Sequence, residues 1–343
     1  MRKLLNVLHV MTQGAYLHRD GETVSIKIGQ EVRMRVPVHT LEGIVCWGQV
    51  TCSHPILGLC CEKGVGISYL TEQGRFLARV QGPVSGNVLL RRQQYRMADR
   101  GDASLNIVCS IITSKIANSR VVLLRAAREI ADTERQAQLR EAANRLTWIG
   151  LDASRSGNID EARGHEGAAG QVYFGAFDAM IVGDRNVFQF HGRSRRPPRD
   201  RVNALLSFVY AMLRHDIESA LETVGLDPAV GFLHTDRPGR PSLALDLMEE
   251  LRSVLADRLV LTLINRRQVS GEDFTEQDGG GILLEEETRR TVIAAWQARK
   301  QEELEHPFLN ERILLGLVPY VQALLLARCV RGGLDGYPAF LWR

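Results

Sequence analysis

The spacing of hydrophobic and polar residues changes about a quarter of the way along the chain. From Leu4 to about Val80 the apolar residues fall in short runs rich in Val, Ile and Thr, broken by turn signals, which predicts strands. The sharpest signal is Asp20-Gly21 between residues 15–19 and 22–28, a predicted hairpin. Further strands are expected at 32–36, 43–47, 65–70 and 75–80, with a short helix around Cys60-Cys61. Beyond Gly82 the spacing becomes helical, at 105–114, 121–130 and 134–148, so a domain boundary is expected between 82 and 103. The most apolar helix is expected over 201–224. Leu205, Phe208, Val209, Met212, Leu213, Ile217, Ala220 and Leu221 cover more than half of its circumference, the mark of a central helix. Loops are expected at 154–159, 192–198, 227–228 and 236–241, and two last helices near 285–303 and 311–330. Gly279-Gly280-Gly281 lacks the G-K-[ST] of a phosphate loop and reads as a flexible turn before 282–284. The predicted fold class is α+β, with a small N-terminal β-rich domain over 1–90 followed by a larger all-helical domain over 91–343.

Composition changes this picture little. A chain of 343 residues suits two domains, and 45% hydrophobic with 24% charged residues suits a globular protein with a sizeable core. The six cysteines form no C-x-x-C pair, so reduced thiols are expected rather than a zinc knuckle or a disulfide framework. Only Arg2 and Lys3 precede a short apolar run at the N-terminus, and no stretch reaches the ~18 uninterrupted apolar residues of a membrane span. A cytoplasmic protein without a membrane partner is expected.

Charge is more informative in kind than in sum. The net charge is only +3, but Lys3, Lys27, Lys63, Lys115 and Lys300 are the sole lysines among 43 basic residues. Arginine offers a planar fork of donors suited to phosphate, although a GC-rich genome raises arginine without functional reason and explains the bulk excess. A local cluster, Arg193, Arg195, Arg196, Arg199 and Arg201 around Pro197-Pro198, reads either as a phosphate-binding edge or as a solvated linker.

Candidate chemistry concentrates in residues 231–252, GFLHTDRPGRPSLALDLMEELR. Pro238, Gly239 and Pro241 exclude a helix through the middle, Ser242 is expected to cap the helix that follows, and Leu243, Leu247 and Leu251 give that helix a buried stripe. Asp246 then shares a face with Glu249 or Glu250, and the intervening turn folds His234 back toward them, the layout of a hard-metal site. The alternative is an ordinary solvated acidic face beside a structural histidine. A second acidic element lies at 161–177, where Glu166 sits among Gly164, Gly167, Ala168 and Ala169 ahead of Tyr173, Phe174 and Phe177. Small neighbours favour a carboxylate directed into a packed site, with Glu161 and His165 as competing ligands and a salt bridge to an arginine as the alternative.

Taken together, Glu166 in EGAAGQVYF, His234 in GFLH and the string SLALDLME at 242–249 resemble the CRISPR-associated DNA endonuclease and integrase family, the first protein of the adaptation complex. The similarity spans nearly the whole chain and includes the order of the domains. It implies that Glu166, His234 and Glu249 bind one divalent metal, with Asp246 as a further acidic member that ligates directly or through water. Mixed oxygen and imidazole donors suit Mg2+ or Mn2+. The implied activity is metal-dependent DNA endonuclease and integrase chemistry, inserting foreign DNA fragments as spacers into a CRISPR array by transesterification in antiviral defence. Arg237 and Arg240, between His234 and the acidic helix, are expected to contact DNA and stabilise charge on the transferring phosphate, or else to pair with that helix. The resemblance further implies double-stranded DNA as partner, a homodimer formed through the β domain, and a small ferredoxin-like second protein that bridges the dimers. The Arg-rich insertion at 193–201 resembles the branch that accompanies type I systems, subtype C. The rival reading is a DNA-binding scaffold with a degenerate metal site, and a third is a metal hydrolase of small phosphoesters.

Overall fold

The computed structural model describes residues 7–41, 43–72, 76–80, 82 and 88–342. Arg75, the expected opening of one strand, lies outside them. The chain divides into two compact units, residues 1–86 and 87–343, a few residues ahead of the boundary expected at 90.

The first unit holds β1 (Val7–Val10), β2 (Ala15–Asp20), β3 (Thr23–Ile28), β4 (Glu31–Pro37), β5 (Gly43–Trp47), β6 (Thr51–Cys52), α1 (His54–Lys63), β7 (Gly66–Leu70) and β8 (Phe76–Val80). They form two four-stranded sheets, ordered β1-β5-β7-β8 and β4-β3-β2-β6. β5 runs parallel to both neighbours, and its Ile44, Val45, Cys46 and Trp47 are all buried, as a strand covered on both faces requires. Asp20 pairs with Thr23, so the hairpin loop is Gly21-Glu22, one residue later than the sequence signal. Gly21 carries the positive φ, 61°, that such a loop demands, and the Arg19 side chain donates to its carbonyl at 2.9 Å. β4 closes one sheet edge and is exposed along nearly all its length, with Arg33 and Arg35 guarding the edge.

The second unit is built on α3 (Gly101–Glu129), preceded by α2 (Val88–Ala98) and packed by α4 (Thr133–Ala153) and α5 (Ile159–Gly175). The two helical stretches expected at 105–114 and 121–130 are one continuous helix. α3 is apolar and long enough to cross a membrane by length and composition, but 61% of its most apolar window is buried inside the fold, as in a core helix. Helix starts follow the capping rule: Asp132, Asn158 and Asp200 each accept backbone N–H groups at the heads of α4, α5 and α6 (Arg201–Val224). Gly225 ends α6 in the left-handed conformation, so its expected bounds hold.

α7 (Ser242–Leu251) runs into α8 (Arg258–Asn265) through a single widened turn, Arg252–Asp257, of the i→i+5 kind that recurs at functional sites. The unit is not all-helical, contrary to expectation. β9 (Phe274–Glu276) pairs with β10 (Ile282–Leu284) across the three glycines, where Gly280 takes φ 70°. After α9 (Glu286–Lys300), β11 (Glu303–Glu305) pairs with β12 (Arg312–Leu314), so the last helix, α10 (Val318–Val330), starts seven residues later than expected. Three-residue strands are too short to leave a period-two pattern, and that is why the sequence hid them.

Candidate metal centre

α7 carries three carboxylates, Asp246, Glu249 and Glu250, and all three are buried, so the solvated-face alternative fails. Their surroundings differ completely. Asp246 is the hub of the loop that precedes the helix. Phe232 N (2.6 Å) and Leu233 N (2.9 Å) donate to its Oδ2, and His234 N (2.9 Å) donates to Oδ1. His234 Nδ1 lies 2.6 Å from the same Oδ1. An acceptor on Nδ1 assigns the hydrogen there and leaves the Nε2 lone pair directed away, the usual posture of a metal-binding imidazole. Gly231 makes this wrap possible: a Cβ there would stand 2.8 Å from Asp246 Oδ2 and from Ser242 Cβ. Ser242 does not cap α7 as expected. Its hydroxyl donates instead to the Thr235 carbonyl at 3.1 Å, which ties the loop to the helix.

Glu249, one turn on, faces cations. Lys115 from α3 places its ammonium between Glu166 on α5 and Glu249, in contact with Glu166 Oε1 and 2.6 Å from Glu249 Oε2. Arg252 reaches Glu249 Oε1 at 3.1 Å. Lys115 and Glu249 side chains are each 6% exposed, whereas Glu166 is 31% exposed. Burial alone would raise the Glu249 pKa, but the Arg252 guanidinium, the Lys115 ammonium and His234 outweigh it and hold the carboxyl down to about 2. Both Glu249 oxygens meet a cation, Oε2 the Lys115 ammonium and Oε1 the Arg252 guanidinium. Two carboxylates from helices far apart in sequence thus meet around one positive charge.

Arg252 is itself clamped. Its guanidinium lies 5.9 Å from the Phe174 ring centroid and 5.3 Å from that of Tyr210. Arg193 lies 5.1 Å from the centre of the same Tyr210 ring. Beneath them Asp257, on the widened turn, accepts from Tyr173 (2.9 Å) and Tyr210 (2.5 Å). Its burial raises the carboxyl pKa against the opposing pull of Arg252 and both phenols. Phe174, Arg193 and Arg252 line a cleft of about 620 Å³ together with Glu166, Gln171, Phe190 and Arg195. A Cβ added at Gly167 or Gly170 would meet nothing within 4 Å, so the α5 wall is bare backbone on that side.

The remaining expected residues fall into place around this core. Glu161 accepts from Gly157 N at 2.7 Å and His165 stands 3.9 Å from it, so that pair serves the head of α5 and does not compete with Glu166. Glu166 pairs with a lysine rather than with an arginine. Of the arginine cluster, Arg193 is held inside by Asn203 (2.6 Å) and Ser207 (3.2 Å), whereas Arg195, Arg196 and Arg199 are exposed. Arg237 is exposed and Arg240 half-buried, and among the described residues neither makes an ion pair with the acidic helix. The structure joins Glu166 to Glu249 and His234 to Asp246. Among the described residues no three His, Cys, Asp or Glu side chains are drawn close enough to hold a metal ion as they stand. Asp246 in particular spends both oxygens on the loop, which makes it a support for His234 rather than a free ligand.

Lys115, Arg252 and Asp257 were not anticipated. The first had a visible signal, a lone lysine inside the apolar run of α3. Glu250, the third acid of α7, points into the C-terminal tail, where Tyr337 OH (2.5 Å), Phe340 N (2.6 Å) and Gln322 Nε2 (3.3 Å) donate to it. The six cysteines are free, as expected.

Residues 8–298 match the family model described as CRISPR associated protein Cas1. A CRISPR-associated endonuclease Cas1 of Chlorobaculum tepidum is 51% identical over 343 residues, covering 100% of both chains. A solved Cas1 structure from Thermotoga maritima superposes with a TM-score of 0.82 at 22% identity, over 98% of this chain and 100% of that one. The same TM-score, 0.82, relates the chain to a casposase bound to integration product, at 20% identity and covering 98% and 94% of the two chains. It also relates the chain to part of a Cas6-RT-Cas1–Cas2 complex, at 23% identity, covering 98% of this chain and 36% of that one.

Proposed function

The chain belongs to the Cas1 family, and from that membership and the site we propose a divalent-metal-dependent DNA endonuclease and integrase that inserts DNA fragments as spacers into a CRISPR array. One observation carries the reading: Glu166 and Glu249 converge, one of them deeply buried, on a single cationic position held by the Lys115 ammonium. Two hard oxygen donors with an imidazole nearby suit Mg2+ or Mn2+. Glu166, Glu249 and His234 Nε2 are the groups that would hold it, with Asp246 fixing the imidazole. When bound, such an ion supplies charge neutralisation at a phosphodiester undergoing transesterification or hydrolysis.

The rest of the site is arranged for a nucleic acid strand. Arg252 and Arg195 face the cleft, and Arg252 is kept there by Phe174 and Tyr210 instead of sweeping through solvent. The bare backbone at Gly167 and Gly170 lets a sugar-phosphate chain approach α5 closely. Exchange of one phosphodiester for another needs no external energy, so holding the attacking hydroxyl and the target phosphate in line is the main demand on the protein. Arg237 and Arg240, on an exposed loop beside His234, suit phosphate contacts.

DNA and a Cas2-type bridging subunit are the partners proposed here. The similar folds solved with an integration product and in a Cas1–Cas2 assembly support both. A homodimer through the β unit is proposed as well, supported by Tyr16 and Val32, which lie in register across Lys27 on one sheet face and are both more than 40% exposed. A second reading is favoured by one feature, the ammonium that fills the cation position: a DNA-binding scaffold whose metal site is degenerate. Chelation separates the two. The integrase reading expects strand transfer into branched or supercoiled DNA with Mn2+, abolished by EDTA and by Glu166→Ala, His234→Ala or Glu249→Ala. Full activity in all three variants would overturn the site, and DNA binding without Mn2+-dependent nicking would favour the scaffold.

A further inference from the structure

Lys115 is the part of the site that the proposed chemistry leaves without a task. Its side chain is 6% exposed, and its ammonium contacts Glu166 and stands 2.6 Å from Glu249 Oε2. Glu249 is already balanced on its other oxygen by Arg252 at 3.1 Å. These four groups, two carboxylates against an ammonium and a guanidinium, sum to zero formal charge. We propose that Lys115 is a resident counter-ion, a positioning residue that holds Glu166 and Glu249 together and gives up that place only when a divalent cation and a DNA phosphate enter together.

Charge and space set this coupling, on the reading of Glu166 and Glu249 as the metal-holding pair. An ammonium and a divalent cation cannot share the same two oxygens, because like charges at contact distance in a buried site repel strongly. Entry of the cation alone turns a neutral cluster into one with two excess positive charges and strips a buried ammonium of its anions, which is costly. A phosphodiester entering from the cleft offsets one of those two charges and gives Lys115 a new acceptor. Cation and DNA thus each improve the binding of the other, and the coupling runs through this one side chain.

Mn2+ binding to the full chain, followed by the paramagnetic resonance of free Mn2+, tests the idea without any turnover. It is measured alone and with a DNA duplex whose 3′ ends are deoxy and cannot attack. In the native protein DNA is expected to tighten Mn2+ binding by about tenfold or more. Lys115→Met is expected to bind Mn2+ about tenfold more tightly without DNA, and to gain no more than about threefold when DNA is added. A merely structural lysine would give the opposite, weaker binding on removal. The proposal is overturned if native Mn2+ affinity ignores DNA, or if the folded variant binds Mn2+ no more tightly than the native chain. Should Lys115→Met not fold, Lys115→Gln reports the same quantity, and the native comparison stands by itself. Unchanged Mn2+ affinity in both Glu166→Gln and Glu249→Gln would instead remove the metal-holding pair, a different failure.

Discussion

Asp246 and Glu249 stand three residues apart on one helix, both buried, and live in opposite electrostatic settings. Asp246 accepts from three backbone N–H groups and an imidazole, all from the loop it anchors. Glu249 is surrounded by cations alone. Hydrogen bonds from a loop's own backbone fix that loop and are not readily exchanged, whereas a cation held on a carboxylate by charge is replaceable by another cation. One turn of helix thus divides the work: Asp246 builds the loop that presents His234, and in the proposed site Glu249 is the exchangeable ligand. Glu250 gives a third setting, an acid that accepts from a phenol, an amide and a backbone N–H and that makes no ion pair among the described residues.

The largest effect is expected where the loop is built. Asp246→Ala leaves two buried N–H groups, a part-buried third and the His234 imidazole without their acceptor, a loss of about 3–5 kcal/mol of stability together with activity. Chemical denaturation of the variant checks the first part. If Asp246→Ala kept native stability, the hub role would be wrong and Asp246 would return to the ligand set.

Glu249→Gln and Glu166→Gln come next and act differently. Each is expected to lower Mn2+-dependent strand transfer about a hundred- to a thousandfold, the scale of losing one charge-stabilising group. Stability should move far less than in Asp246→Ala for Glu166→Gln, whose side chain is 31% exposed, whereas Glu249→Gln leaves the buried Arg252 without its ion pair and carries a penalty closer to that of Asp246→Ala. Paired measurement of melting and strand transfer across the three variants separates the hub from the ligands. Equal unfolding penalties in all three would erase the distinction drawn above.

How much of this was visible beforehand follows the same division between local and distant causes. The β2–β3 hairpin, β5 and α6 were legible because short-range chemistry marks them: Gly21 in the turn, Asp200 at the helix head and Gly225 at its end. Glu166, His234, Asp246 and Glu249 were found as candidates because acids and a histidine near glycines are conspicuous in a sequence. Their roles were not, since nothing at position 246 says that three N–H groups of its own loop will use up its oxygens. Lys115 escaped notice for a related reason. A search for metal ligands looks for anions and imidazoles, and the cation that brings two of them together comes from α3, 51 residues before Glu166 in the chain. The continuity of α3 was hidden by the polar residues at the edge of and within the gap 115–120 between the two expected stretches, Ser114, Lys115 and Asn118 among them. In the fold they are occupied by the tail and the site: Ser114 donates to the Phe340 carbonyl, and Asn118 donates to the carbonyls of Glu250 (2.7 Å) and Phe340 (2.8 Å).

Glu250 sharpens the comparison through pH. Burial raises its carboxyl to about 7 from the usual 4.5, even though Tyr337, Phe340 N–H and Gln322 all pull the other way. A raised folded pKa means that the protonated form is favoured in the fold. Its contribution is therefore complete below about pH 4.5 and is lost as pH climbs through about 7, some ~3 kcal/mol in all. Glu249, held down to about 2, has the reverse window: its contribution is present above pH 4.5 and fades only as pH falls toward 2. Urea melts at pH 5 and pH 8 should show the native chain losing stability on going up, with the slope flattened in Glu250→Gln. An identical slope in both proteins would mean that Glu250 ionises freely in the fold and that the C-terminal tail does not depend on it.

The smallest effect is expected outside the cluster, at Arg237. The residue is exposed, and among the described residues it makes no ion pair, so Arg237→Ala should change stability by less than about 0.5 kcal/mol. Its contribution is to long-range charge, which binding data reveal and melting data do not. If Arg237 meets a phosphate, its removal weakens DNA binding uniformly across sequences and reduces the slope of log affinity against log salt by about one. Arg252→Ala would affect binding in another way, because its guanidinium is stacked between Phe174 and Tyr210 and bonded to Glu249, so stability and the Glu249 carboxyl would both shift with it. An unchanged salt slope in Arg237→Ala would place the DNA track along the Arg195 and Arg252 side of the cleft alone, and would take the loop before α7 out of the interface while leaving His234 in the site.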